Sequence, residues 1–261
     1  MAPTRRRILA SLALAAAGQA WADRPRAQRE SASQAAARNV VLVHGAFADG
    51  SSWSEVITRL QAAGYKVTAV QNPLTSLADD VASTRRVLER QDGPVILVGH
   101  SWGGAVITAA GVAANVVALV YVSALAPDAG ESAVDLQQHG APSTGMQGAR
   151  PDTSGALWFD PAAYADALAA DVPMERVRVL AAVQQPIAAA SFAEKLTVAA
   201  WDDKPSWFLL SENDKALSPE LQRWMARRMG ATTMAVPSSH MSLISHAAAV
   251  ASLIEKAANA R

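Results

Sequence analysis

Hydrophobic positions along this chain follow two alternating patterns. Six short runs are rich in β-branched and other apolar residues, which is typical of strands covered on both faces of a parallel sheet. The segments between several of these runs carry apolar residues at the 3.6-residue spacing of an amphipathic helix. The alternation predicts an α/β fold with a doubly wound, mostly parallel, six-stranded sheet. The predicted strands cover residues 39–43, 65–70, 94–98, 116–122, 207–210 and 233–236.

Residues that favour helix ends mark the predicted helices. Ser51 or Ser52 can cap the first helix, and Gly64 ends it. Ser76 opens the second helix, and Pro219 stands at the first position of a later one. The helices are predicted at residues 52–63, 76–90, 219–229 and 247–258, with one more beginning at Ser101.

The pattern changes between about Ala126 and Lys204. Prolines recur there between short helical pieces, and no segment is predicted as a strand. A stretch of this length between two strands of a sheet is more typical of an inserted domain than of a loop. We therefore predict one α/β domain over residues 39–261 with a helical cap inserted at about 126–204.

The amino terminus has the pattern of an export signal. Arg5-Arg6-Arg7 precedes an apolar run over residues 8–17 and the cleavage pattern Ala20-Trp21-Ala22. The arginines resemble a twin-arginine signal, and the general secretory route is the alternative. The apolar run is too short to span a bilayer. Residues 1–22 are predicted as a signal peptide, residues 23–38 as a flexible linker, and the protein as periplasmic or secreted.

Charge and cysteine content narrow the function classes. The chain has 261 residues, with 23 basic and 23 acidic side chains. Cleavage after Ala22 removes three arginines and no acids, which leaves 20 basic and 23 acidic side chains. This balance does not predict a nucleic acid or an anionic membrane as a partner. Because cysteine is absent, disulfides and thiolate metal sites are excluded.

The candidate nucleophile lies at the end of the third predicted strand. Val95–Val98 runs into Gly99-His100-Ser101-Trp102-Gly103, a G-x-S-x-G pattern, and an apolar helix follows. A turn this tight brings strand and helix backbones together, so glycine is favoured on both sides of the serine. The pattern predicts that Ser101 is exposed at the carboxyl edge of the sheet, at a helix amino terminus that favours negative charge.

A serine nucleophile needs a base and an acid that orients the base. In this kind of fold they follow the serine in the order acid, then histidine, each after a late strand. Asp214 follows the fifth predicted strand, and His240 follows the sixth. Glu212 is the competing acid, although it lies closer to the strand.

The other four histidines receive structural interpretations. His44 and His100 are expected to stabilise turns beside the nucleophile, and His139 lies in the predicted cap. His246 precedes the last helix and is expected to face solvent as a cap residue.

The oxyanion of an acyl-transfer intermediate needs two backbone donors, and Ala46 and Trp102 hold the corresponding positions. Phe47, Trp158 and Phe159 are the candidate substrate-binding residues, because enzyme pockets are mostly apolar. The alternative for Trp158 and Phe159 is that they anchor the cap to the sheet domain without touching the substrate. No arginine pair in the motifs could receive a carboxylate, so uncharged esters are favoured. This chemistry requires no metal and no cofactor.

These motifs resemble the α/β-hydrolase superfamily, and most closely the branch of plant methyl esterases, hydroxynitrile lyases and their bacterial relatives. The resemblance rests on residues 41–46, 99–104, 212–214, 218–222 and 239–241. It implies the α/β-hydrolase fold and the catalytic roles given above. Gly45 stands where lyases of the branch carry threonine, and Met241 where they carry a lysine that steadies the departing cyanide. The resemblance therefore favours hydrolysis.

The main functional hypothesis is a serine hydrolase that cleaves small carboxylic esters through Ser101, Asp214 and His240. One alternative is a ligand-binding or receptor-like member of the fold without turnover. Another is a lyase or perhydrolase that uses the same three residues.

Overall fold

A six-stranded parallel sheet forms the centre of the structure, a computed structural model that describes residues 37–260. The strands are β1 Asn39–Val43, β2 Lys66–Val70, β3 Val95–His100, β4 Val116–Val122, β5 Ala149–Pro151, β6 Ala156–Phe159, β7 Ile187–Ala188, β8 Ser206–Ser211 and β9 Thr232–Val236. The strand order of the large sheet is β2-β1-β3-β4-β8-β9. A second, three-stranded antiparallel sheet has the order β5-β6-β7.

Helices flank the large sheet. The α-helices are α1 Ser54–Ala62, α2 Leu77–Leu88, α3 Trp102–Ala110, α4 Ala133–Leu136, α5 Pro161–Leu168, α6 Met174–Val183, α7 Pro219–Arg228, α8 Ser242–Ser245 and α9 Ala247–Asn259. Helix α1 packs against α9, and α2 packs against α3. Short 3-10 helices cover Gly50–Trp53, Gln137–His139, Gly145–Gly148, Ala189–Ala193 and Ala200–Asp202. None of these helices between residues 37 and 260 is long and apolar enough to cross a membrane.

The predicted fold class is confirmed. Strands β1 and β3 are buried along their whole length, because helices cover both faces of the sheet there. Strand β3 continues to His100, two residues beyond its predicted end at Val98, and stops only at the turn that holds Ser101. The start of the first helix also differs from the prediction. Asp49, and not Ser51 or Ser52, accepts the capping hydrogen bond, and a 3-10 turn precedes α1.

The expectation of an all-helical insertion is wrong, because β5, β6 and β7 lie within residues 126–204. Arg150 pairs with Trp158 across β5 and β6, and Leu157 pairs with Ile187 across β6 and β7. These strands have two to four residues, too few to show the alternating pattern that identifies a strand. Pro151 also suggested a break, yet proline is tolerated in an edge strand such as β5.

The predicted signal peptide and the first part of the predicted linker lie outside the described residues. The last two linker residues belong to the fold. Ala37 is fully buried, and the carbonyl oxygen of Arg38 accepts the Lys66 N–H at 2.8 Å. Two residues that were predicted as linker therefore make contacts within the domain.

Candidate active site

Ser101 lies in a strained turn between β3 and α3. Its φ of +52° and ψ of −120° are rare for a residue with a side chain. A Cβ at Gly99 would approach the Gly103 carbonyl oxygen to 2.5 Å, and a Cβ at Gly103 would collide with the Val43 carbonyl oxygen. Both glycines are therefore required by the close approach of strand and helix. Backbone strain of this kind persists only where the surrounding structure holds it in place.

His240 and Asp214 form a buried hydrogen-bonded pair. The distance from His240 Nδ1 to Asp214 Oδ2 is 2.7 Å, and the two residues are 4% and 5% exposed. Glu212, the competing acid, is exposed and lies 3.5 Å from Arg223 in an ion pair. The geometry therefore pairs the histidine with Asp214 and not with Glu212.

Asp214 receives three further hydrogen bonds. Its Oδ1 accepts the backbone N–H groups of Ala216 and Leu217, both at 2.8 Å, and its Oδ2 accepts Gln222 Nε2 at 2.8 Å. Gln222 is fully buried, and its Oε1 accepts the Ser211 N–H at 3.0 Å. These hydrogen bonds fix the orientation of the Asp214 side chain. The sequence interpretation assigned no role to Gln222, although a glutamine on the apolar face of α7 is the kind of buried polar residue that needs partners.

A second histidine, His100, holds the backbone of His240 by a hydrogen bond. His100 Nε2 donates to the carbonyl oxygen of His240 at 3.0 Å, and the ring centroids lie 4.8 Å apart. Burial holds the pKa of His100 well below its ordinary value, so its ring is neutral. Ser101 and His240 line the same cavity. The hydrogen bonds of the described residues do not include one between Ser101 Oγ and His240; such contacts are often long before substrate binds.

The candidate oxyanion donors flank Ser101. Trp102 is the first residue of α3, so its backbone N–H has no acceptor within the helix. Ala46 lines the cavity from the loop after β1. The next residue, Phe47, has a φ of +58°, and its carbonyl oxygen accepts the Tyr164 hydroxyl of α5 at 3.0 Å. The cap therefore holds the loop that carries one of the two donors.

The cavity over Ser101 is narrow and apolar. The cavity volume is about 70 Å³. Apart from His240, no residue of its wall in the described part of the chain is ionisable. The walls come from Ala46, Phe47, Leu125, Ala133, Gln137, Ala141, Ser143, Met146, Leu168, Phe192, Ala216, Leu217, Ser218 and Leu221.

Of the predicted substrate-binding residues, Phe47 lines this cavity, and the other two do not. Trp158 is 40% exposed, and its indole N–H donates to Asp152 at 3.0 Å. Phe159 is buried behind the wall, edge-on to Phe47 with ring centroids 4.7 Å apart. Both predictions are wrong for direct contact: neighbouring residues of a strand point to opposite sides, so Trp158 is exposed while Phe159 packs behind Phe47. The aromatic residue that the sequence interpretation missed is Phe192.

The remaining three histidines do not line the cavity and make contacts elsewhere in the fold. His44 Nδ1 donates to the Gly45 carbonyl oxygen, and its Nε2 accepts the Asn72 N–H. His139 stacks on Trp224. His246 is the N-cap residue of α9, as expected, but it is only partly exposed, with Nδ1 3.6 Å from Asp171 Oδ2. Within residues 37–260, no three His, Asp or Glu side chains are grouped to bind a metal ion.

Comparison with known proteins places the chain in a family. The alpha/beta hydrolase family model matches residues 40–253. A carbendazim hydrolyzing esterase of Nocardioides sp. is 31% identical over 112 residues, which are 38% of this chain and 46% of that protein. Salicylic acid-binding protein 2 of Nicotiana tabacum is 26% identical over 226 residues, 75% of this chain and 86% of that protein.

Among solved structures, a pyrethroid hydrolase from Sphingobium faniae superposes with a TM-score of 0.74 at 21% identity. The match covers 85% of this chain and 97% of the hydrolase. The protein therefore belongs to the alpha/beta hydrolase family, and the resemblance inferred from its motifs is confirmed. Its relatives include hydrolases and esterases, which supports ester hydrolysis in general.

Proposed function

We propose that this protein is a serine esterase that cleaves small uncharged carboxylic esters through an acyl-enzyme intermediate. The observation that carries the proposal is the buried 2.7 Å hydrogen bond between His240 and Asp214, in a cavity that also contains Ser101 at a strained turn. A nucleophile beside a base that a carboxylate orients is the arrangement that acyl transfer requires.

In the proposed reaction, Ser101 Oγ attacks the ester carbonyl carbon while His240 Nε2 takes the hydroxyl proton. Asp214 keeps the other ring nitrogen protonated and stabilises the imidazolium that forms. The backbone N–H groups of Ala46 and Trp102 receive the oxyanion. His240 then returns the proton to the departing alcohol, and water repeats the sequence to release the acid.

The cavity supports the proposed substrate class. Its walls are mostly apolar and, apart from His240, carry no ionisable side chain in the described part of the chain, so a charged acyl group would lose hydration without gaining a partner. Its narrow volume favours short acyl chains. Met241, the residue after the candidate base, is buried, and no lysine lines the cavity walls described above. This arrangement supports hydrolysis over cyanide elimination.

Hydrolysis of p-nitrophenyl acetate, butyrate and octanoate tests the proposal. Wild type should release a burst of p-nitrophenol close to one per protein molecule and then turn over, with kcat/KM falling from butyrate to octanoate. Ser101→Ala should lose both phases, because the proposed acyl-enzyme forms there. Wild-type turnover in Ser101→Ala would refute the serine mechanism.

Binding of an ester without product formation would instead support the ligand-binding alternative. The similarity to a salicylic acid-binding protein is the reason to test this alternative. Binding of a substrate ester to wild type, without release of p-nitrophenol, is the result that distinguishes it.

We further propose that residues 1–22 direct export. Replacing Arg5 and Arg6 with lysine should trap the protein in the cytoplasm of a Gram-negative host if the twin-arginine route is used. Undiminished periplasmic protein in that variant would favour the general secretory route.

A further inference from the structure

A buried carboxylate that the proposed reaction does not use lies behind Trp102. Asp80, in the first turn of α2, is fully buried. Its Oδ2 accepts the indole N–H of Trp102 at 2.7 Å, and its Oδ1 accepts the backbone N–H of Leu74 at 2.8 Å. Leu74 itself has a φ of +57°. One side chain thus connects a strained loop to the residue that follows Ser101.

The charge on Asp80 is costly in this position. No ion pair of the described residues includes Asp80, and the charged groups that act on it are Asp79 of the same helix and Glu194 of the cap, both acidic. Burial raises the pKa of Asp80 to about 6. A buried carboxylate without a cation destabilises the fold, so an uncharged side chain would serve better if Asp80 only filled space.

Both partners of Asp80 are N–H donors, and this explains why a carboxylate is needed. A carboxylate has two acceptor oxygens and can receive both donors. An amide would turn its NH₂ group towards one of the two N–H groups and lose that hydrogen bond. Asp80 is therefore suited to hold Trp102 and Leu74 at the same time.

Trp102 occupies a position where small shifts matter. Its backbone N–H is one of the two proposed oxyanion donors, and it follows Ser101, whose strained backbone must be held by its surroundings. Its indole ring is almost fully buried and packs edge-on against Phe192, with ring centroids 5.1 Å apart. Phe192 in turn lines the cavity.

We propose that Asp80 is a positioning residue for the oxyanion hole. By accepting the indole N–H, it fixes Trp102 so that the backbone N–H of that residue points to the developing oxyanion, and it supports the cavity wall through Phe192. This inference rests on the proposed serine esterase function. It assigns Asp80 a role in kcat although the side chain does not touch the substrate.

The test compares Asp80→Leu with Asp79→Leu, which makes the same chemical change at an exposed neighbour in the same helical turn. Leucine has the branched shape of aspartate and removes both acceptor oxygens, whereas an asparagine could keep its oxygen on Trp102. With p-nitrophenyl acetate, Asp80→Leu should lower kcat by about 10-fold to 100-fold and leave KM within about twofold, since loss of a whole oxyanion donor costs about 10² to 10³. Asp79→Leu should keep both values within about twofold. An unchanged kcat in Asp80→Leu overturns the proposal.

Trp102→Phe removes the donor from the other side and retains a ring against Phe192, so it carries the test if Asp80→Leu does not fold. It should lower kcat without raising KM. The double variant should lose no more than the more impaired single variant, because Asp80→Leu already breaks the hydrogen bond that Trp102→Phe removes. Losses that multiply would show independent roles and overturn the proposal.

Ser101→Ala in the same assay separates the two hypotheses. Activity that survives in Ser101→Ala refutes the proposed esterase mechanism itself. An inactive Ser101→Ala together with a fully active Asp80→Leu refutes only the role of Asp80.

Discussion

Gln222 provides a test of how the acid of the site is held. Its side-chain amide makes three buried hydrogen bonds: it accepts the Ser211 N–H at 3.0 Å and donates to the Leu217 carbonyl oxygen at 2.7 Å and to Asp214 at 2.8 Å. Gln222→Met retains an unbranched side chain of similar length and removes all three bonds. The substitution therefore changes hydrogen bonding far more than packing.

The expected loss of stability follows from the groups left behind. A buried donor or acceptor without a partner costs about 1–3 kcal/mol. Gln222→Met leaves the Ser211 N–H and the Leu217 carbonyl oxygen in this state and weakens the surroundings of Asp214. We expect the free energy of unfolding to fall by about 4 kcal/mol. Asp214 keeps its other donors and His240, so kcat should fall only about 10-fold, less than after removal of a triad member.

Urea unfolding measures the first effect, and initial rates with p-nitrophenyl butyrate measure the second. Gln61→Met is the matched control, because Gln61 is exposed on α1. Its unfolding free energy should change by no more than about 0.5 kcal/mol. If Gln222→Met were as stable and as active as this control, the bonds to Gln222 would not hold Asp214 in place.

Three further predictions follow from buried contacts and from one exposed residue. Tyr164→Phe should destabilise the protein by about 1–3 kcal/mol and lower kcat, since it leaves the Phe47 carbonyl oxygen without its donor; equal unfolding curves and rates would contradict this. Asp80 has a folded pKa of about 6 against an ordinary 3.8, so the stability it contributes is present below pH 4 and is lost as the pH rises through 6. Relative to Asp80→Asn, wild type should therefore lose about 3 kcal/mol between pH 4 and pH 7.5 in urea unfolding, and a constant difference would exclude the shift. Trp158→Ala should leave the ratio of kcat/KM values for acetate and octanoate esters unchanged, whereas Phe192→Ala should alter it; a changed ratio in Trp158→Ala would place that residue in the pocket.

The sheet and the order of the site residues were predictable because they depend on local patterns. A strand covered on both faces has to be apolar along its length, and the bounds of β1 and β4 match their predictions residue for residue. The G-x-S-x-G turn requires glycine for steric reasons that are visible in the sequence. His240 and Asp214 follow strands whose carboxyl ends meet at one edge of the sheet.

The cavity walls were not predictable, because they depend on which face of a short strand meets the main domain. Trp158 and Phe159 are adjacent on β6, so one is exposed and the other is buried. Only the pairing of β6 with its neighbours decides which. Phe192 comes from a 3-10 helix with no periodicity to identify it.

Buried polar residues were hidden for a similar reason. Asp79 and Asp80 both look like acids that favour a helix amino terminus. That interpretation suits Asp79, which is exposed and hydrogen-bonded to Thr75, whereas Asp80 points inward to Trp102. Composition and spacing are the same for both residues, so only the packing of α2 on α3 distinguishes them.

Covalent labelling of the nucleophile tests the central claim most directly. Wild type, Ser101→Ala and His240→Ala would be treated with a fluorophosphonate, digested, and analysed by mass spectrometry to locate the adduct. The account predicts rapid labelling of wild type at Ser101, labelling slower by at least about 100-fold in His240→Ala, and no labelled active-site peptide in Ser101→Ala. An adduct on another residue, or equal labelling rates in wild type and His240→Ala, would contradict it.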